Sequence, residues 1–189
     1  MPTSVLRRAP GSPALLPSVV RRIADAMLHE LGLGHAELSV LLTNDAQIQT
    51  LNRQHRNKDR PTDVLAFALE EGEHGAVGSG NGLRLLGDVV ISLDTAARQA
   101  RGRQRELLPE VRFLLAHGLL HLVGYDHGNP TEKRAMDRMT RRLVRAVAGP
   151  AANVRKNAAH HPTLAPRAST GKRSKAAKAG ARARASHAK

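Results

Sequence analysis

The sequence predicts an α+β fold, a small mixed β-sheet of about four strands packed against about five helices. Three observations lead there. Apolar residues recur at helical spacing in five segments, and short aliphatic runs mark strands between them. The apolar patterning then stops near residue 148. The chain accordingly divides into a domain over 1–147 and a disordered basic tail over 148–189.

From Pro13 to Leu31, Leu15, Leu16, Val19, Val20, Ile23, Met27 and Leu31 form the stripe of an amphipathic helix, which Gly32 and Gly34 end. Glu37 to Thr43 alternates Leu38, Val40 and Leu42 on one face, a strand. Asn44 or Asp45 caps a short helix to about His55, with Ile48 and Leu51 inward. Asn57 to Pro61 is a polar turn. Asp63 to Leu69 reads as a buried strand, Glu70 to Gly82 as a loop, and Leu85 to Ser92 as a further strand. These two strands suit an antiparallel pair. Ser4 to Arg8 supplies the fourth strand.

Asp94 to Arg103 is a helix with alanines inward. Pro109 suits the first turn of the next helix, to Leu122, where its missing N–H costs nothing. That helix is apolar nearly all round and should be buried. Thr131 caps a last helix that turns Met136, Met139, Leu143 and Val147 inward.

Composition narrows the chemistry. There is no Cys and no Trp, with one Tyr and two Phe, so the core is aliphatic. Disulfides and thiolate metal sites are excluded, which suits a reducing compartment. No segment has signal-peptide character or the apolar length of a membrane span, so a cytoplasmic protein without a membrane partner is expected. The formal charge of +14 is uneven: ten of the thirty Lys and Arg follow Ala148, with no acid among them. The domain itself is only mildly basic.

The buried helix carries the chemistry. His117 and His121 are four apart, so their side chains lie one turn apart on one face, with Cβ atoms about 5–6 Å apart. Gly124 stops the helix at little conformational cost and lets the chain fold back, so that His127 can approach the same ion. Three imidazoles and an open position would make a catalytic rather than a structural zinc site, with one Zn2+ per chain expected, although imidazole ligands suit Ni, Cu and Fe as well. The other histidines show no ligand spacing.

The series His117, His121, Gly124, His127 also fits the metzincin peptidase pattern H-E-x-x-H-x-x-G-x-x-H, except that Gly118 occupies the position of the general-base Glu. A metal can still lower the pKa of bound water towards about 7 and supply hydroxide. The site is hydrolytic in character without the peptidase base. Asp126 is open to three readings: a carboxylate orienting a ligand imidazole, a base near the metal, or a turn residue.

HGLLHLVGYDH (His117–His127) resembles the H-G-x-L-H-L-x-G-Y-D-H signature of the YbeY family of bacterial rRNA maturation factors. LNRQHRNKDRPTDVLAF (Leu51–Phe67) resembles the family's L-N-x-x-[YF]-R-x-x-[DN]-x-P-T-D-V-L-S-F stretch, and LLGDVVIS (Leu85–Ser92) its L-G-D-I-V-I-S strand. His55 stands where the family usually has an aromatic, and Ala66 where it has Ser; neither is a ligand position. The basic tail lies outside the resemblance.

The resemblance implies a single-strand-specific, zinc-dependent endoribonuclease that acts in 16S rRNA 3′-end maturation and ribosome quality control. Single-stranded RNA, rRNA and the small ribosomal subunit are the implied partners. It assigns His117, His121 and His127 as metal ligands. Arg56 and His117 are the catalytic candidates, Arg56 as the guanidinium that clamps the phosphate. Arg53 and Arg60 are the alternatives to Arg56. Thr62 and Asp63 read as strand-terminating residues. Gly87 and Asp88 read either as a bulge or as a polar contact at the cleft. Two other functions stay open: a non-catalytic ribosome assembly factor with a structural metal, or a metal-dependent hydrolase of another substrate. Gly118 speaks against a peptidase. The tail is either a phosphate-backbone anchor or a solubilising extension, and lacks aromatics for base stacking. The oligomeric state is not legible.

Overall fold

The computed structural model describes residues 3–69, 84–126 and 128–149. The expected Glu70–Gly82 loop, the ligand candidate His127 and the tail from residue 150 lie outside the described residues. Along the chain run β1 (Thr3–Arg8), α1 (Pro17–Glu30), β2 (Glu37–Thr43), α2 (Asp45–Arg56), β3 (Val64–Ala68), β4 (Leu85–Ser92), α3 (Leu93–Gly102), α4 (Leu107–Leu122) and α5 (Pro130–Ala146). The sheet order is β1-β2-β4-β3. β1 pairs with β2 and β2 with β4 in parallel, while β3 pairs antiparallel with β4. The sheet is therefore mixed, and each parallel pair is joined by a crossover that contains a helix.

Strand pleating sorts the side chains to two faces. Leu38, Val40, Leu42, Val89 and Ile91 enter the main core, which α1, α4 and α5 complete through residues such as Met27, Leu115, Leu119 and Leu143. Leu65 and Val90 point the other way and meet Ile48 of α2 in a smaller cluster. β4 is covered on both faces, which is why its sequence is nearly continuous in aliphatics. Leu115, Leu119 and Leu120 of α4 are wholly inaccessible. Truncating any of them to Ala would cost about 2–5 kcal/mol.

Several helix ends differ from expectation by a few residues, for local reasons. α1 starts at Pro17 rather than Pro13, with proline in its first turn. α3 starts one residue early because Ser92 caps it, accepting from the Thr95 N–H. α4 begins at Leu107, so Pro109 still falls in the first turn. Asn129, not Thr131, caps α5 by accepting from the N–H groups of Thr131 and Glu132.

The Gly87–Asp88 break is a bulge. The register of β4 against β2 jumps from Leu85 to Gly87 opposite Glu37 and Leu38. Gly87 has φ +121°, and a Cβ there would lie 2.0 Å from the Phe67 carbonyl oxygen. Only glycine fits.

Two polar ties hold the helices that frame the cleft. Asp45, at the start of α2, accepts from Ser92 Oγ, from Thr95 Oγ1 at 2.7 Å and from Arg98 Nη1 at 2.6 Å. Burial raises the Asp45 pKa, but these hydrogen bonds and the Arg98 charge outweigh burial and hold it below 3.8. Glu110, almost fully buried on α4, accepts from Arg103 beyond the end of α3.

Candidate active site

His117 and His121 stand on the face of α4 that looks into a cleft of about 640 Å³, walled by α2, β3 and α4. Their rings meet edge-on, with centroids 4.8 Å apart and planes at 86°. Their i, i+4 spacing on the helix makes them neighbours, while Gly118 turns toward the sheet. A Cβ at Gly118 would come within 2.8 Å of Val89 Cγ1 and 3.2 Å of Val64 Cγ2. The absence of a glutamate here is thus steric as well as chemical: α4 and the sheet touch where that side chain would begin.

After α4 the chain turns as the sequence predicts. Gly124 takes φ +89°, and the Tyr125 N–H returns to the Leu120 carbonyl at 3.0 Å. The turn brings Tyr125 and Asp126 onto the same cleft. Asp126 is exposed at its edge. His127, the next residue, lies outside the described residues. Among the described residues no group of three His, Cys, Asp or Glu is assembled around a metal position.

The three arginines differ in placement. Arg56, the last residue of α2, lines the histidine cleft and is exposed, with Nη2 3.5 Å from the Ala66 carbonyl oxygen. That contact is to the main chain, so it is indifferent to Ala or Ser at position 66. Arg53 faces Asp59 on the outer surface at 3.9 Å. Arg60 lines a smaller neighbouring cleft, its carbonyl held by buried Asn52 at 2.8 Å. His55 meets Phe67 edge-to-face at 4.9 Å, the kind of contact an aromatic at that position would make.

Three polar or aromatic cleft residues were not singled out as such from the sequence. Asp63 lines the cleft while serving as a turn residue: one oxygen accepts from the Val64 N–H at 2.8 Å and from Thr62, the other from Gln99 at 3.0 Å. Tyr125 lines it beyond the turn. Phe113 lines it one helical turn before His117. The i, i+4 relation of Phe113 to His117 was the available signal for the last. Gly87 and Asp88 do not line the cleft.

No helix among the described residues is long and apolar enough to cross a membrane. A solution structure of a target protein from Thermotoga maritima superposes with a TM-score of 0.56 at 24% identity, covering 87% of this chain and 99% of that one, and so shares the fold. Among curated relatives named Endoribonuclease YbeY, that of an Anaeromyxobacter species is 52% identical over 132 residues, 68% of this chain and 65% of the relative. That of Anaeromyxobacter dehalogenans is 51% identical over 127 residues, 67% of this chain and 62% of the relative. The match therefore spans just under two thirds of the length of these two. That of Geobacter metallireducens is 45% identical over 130 residues, 68% of this chain and 81% of the relative. A family model described as Endoribonuclease YbeY matches residues 12–148, which takes in the whole cleft. The chain belongs to the YbeY family.

Proposed function

We propose that the protein is a single-strand-specific, zinc-dependent endoribonuclease acting in the cytoplasm on the 3′ end of 16S rRNA and in ribosome quality control. The observation that carries the reading is the meeting of His117, His121 and Arg56 in one cleft, with Gly118 where a peptidase would need its base. Curated relatives that are 52% and 45% identical to this chain over about 130 residues carry the endoribonuclease name.

The donor set suits a borderline metal: two imidazoles lie one helical turn apart on a cleft wall, and His127, outside the described residues, would be the third ligand. Zinc held there would supply Lewis acidity toward a phosphoryl oxygen and toward water. Arg56 faces the same space with a planar, permanently charged fork, which matches two non-bridging phosphate oxygens. Val64, Ala66 and Leu114 add apolar wall, which strengthens charge interactions inside the cleft. Nothing at position 118 reaches toward a peptide carbonyl.

The test is to purify the protein, measure bound metal, and offer single-stranded RNA and casein to the wild type and to His121→Ala. The expected result is about one zinc per chain, cleavage of RNA but not casein, and loss of both metal and cleavage in the variant. RNA cleavage undiminished in metal-free His121→Ala would overturn the zinc-dependent reading. Intact metal and tight binding to the small ribosomal subunit, with no cleavage of any RNA, would make the protein an assembly factor instead.

A further inference from the structure

We infer that Phe113 is a stacking platform for one unpaired nucleobase of the substrate, placed so that Arg56 receives a phosphate of the same RNA segment. This deepens the ribonuclease reading and rests on it.

Phe113 is out of keeping with its surroundings. α4 buries ten of its sixteen residues, yet Phe113 is 40% exposed. The chain has only two Phe, one Tyr and no Trp, so an aromatic left in water is conspicuous. The other exposed large apolar residues among those described are Leu6, Leu16, Leu69 and Leu85, and none of them lines the cleft. Phe67, the second Phe, is taken up by its contact with His55.

Its orientation is as telling as its exposure. The Phe113 ring is nearly parallel to that of His117, with planes 13° apart and centroids 6.3 Å apart. It extends the histidine wall by one flat, uncharged surface. Arg56 lines the same cleft from α2, with no acidic partner among the described residues and a hydrogen bond to the Ala66 carbonyl at 3.5 Å. A π-surface and a guanidinium without an acidic partner among the described residues share one cleft and match the two faces of a nucleotide, base and phosphate. The cleft volume falls in the range of roughly 300–1,000 Å³ typical of small-ligand sites, enough for a nucleotide unit but not for a duplex. A base can reach a side-chain ring only when it is unstacked, so such a platform selects unpaired RNA. Stacking tolerates any base, because each has a π-face.

The experiment uses the full-length protein with its metal and an unstructured RNA oligonucleotide series in which a single abasic nucleotide is walked along the chain. Affinity and cleavage KM are measured for wild type, Phe113→Ala, Phe113→Leu and Phe113→Trp, with metal content checked in each. For the wild type, one abasic position should weaken binding by about 5- to 100-fold. Phe113→Ala and Phe113→Leu should lose about as much on intact RNA and show no further loss at that abasic position. Phe113→Trp should restore both the affinity and the sensitivity. Leucine keeps the fold if alanine does not, so a folding defect cannot imitate the result. If Phe113→Leu keeps the wild-type response to the abasic position, the platform is wrong. It is also wrong if an active wild type binds every abasic RNA equally. A wild type that neither binds nor cleaves RNA overturns the ribonuclease assignment itself, and the platform with it.

Discussion

Gly118 of α4 lies hard against Val89 of β4, so close that a Cβ on the glycine would stand 2.8 Å from Val89 Cγ1. Val89 is fully buried and β-branched, so its χ1 is restricted and its side chain has little freedom to give way. Gly118→Ala should therefore destabilise the protein. Overpacking costs about 1–3 kcal/mol, and the gain in helix propensity returns at most about 1 kcal/mol. A lowered melting temperature checks this, and an unchanged or higher one would show that α4 can move away from the sheet. Gly118→Glu should unfold the site rather than create a peptidase.

Arg56 should act through the shape of its charge. Arg56→Ala is expected to lower kcat/KM on RNA by about 10²-fold, the scale of losing one oriented donor in an active site. Arg56→Lys should recover only part, because an ammonium cannot hold two oxygens in one plane. Any bound metal should be unchanged in both, since a guanidinium is not a metal ligand. Equal activity of the lysine variant and the wild type in steady-state assays would rule out the bidentate role.

Asp45 ties α2 to α3 as an anion, and its depressed pKa makes that tie dependent on pH. The folded value lies below the ordinary 3.8, so the stabilisation is complete above that value and is lost as pH falls through the folded pKa. Asp45→Asn should cost about 1–2 kcal/mol at neutral pH. The gap from wild type should close as acid is added below about pH 4. Urea melts at several pH values measure it. A gap that stays constant down to pH 2 would mean that the charge of Asp45 is not what matters.

Arg112 is a liability within α4. It is only 7% exposed, its Nε has no hydrogen-bond partner among the described residues, and burial pushes its pKa down. Arg112→Met keeps the aliphatic stem and removes the buried charge. It should leave stability unchanged or raise it by about 1–2 kcal/mol. Thermal unfolding decides, and a marked loss would show that the guanidinium has a role in packing that its hydrogen bonding does not reveal.

The basic C-terminal segment can be tested by truncation. If residues 148–189 bind the RNA backbone, removing them should flatten the salt dependence of binding, by about 0.7 in log–log slope per phosphate released. The cleavage rate of short RNA at low salt should change little. An identical slope before and after truncation would leave the segment as a solubilising extension.

Much of the architecture was legible from periodicity. β2 and β4 begin and end where their aliphatic runs do, and α4 is as buried as its all-round apolar composition requires. These features depend on side chains within a few residues of one another, which is what a local pattern records. Helix starts were less legible, because Ser92 acts through one hydrogen bond and Asn129 through two, and both compete with equally plausible neighbours.

The cleft divides along the same line. The sequence by itself determined that His117 and His121 share a helix face, that Gly124 ends the helix, and that a peptidase base is missing. Each follows from covalent spacing and helical geometry. Only the tertiary structure decided that Arg56, rather than Arg53 or Arg60, faces the histidines, that Phe113 stands exposed in the cleft, and that Gly118 is glycine because Val89 and Val64 occupy the space. Those relations join α2, β3, β4 and α4, brought together by burial of aliphatic surface. Hydrophobic burial is non-directional. Which side chains it leaves facing one another is set by the packing of whole elements, and no spacing along the chain encodes it.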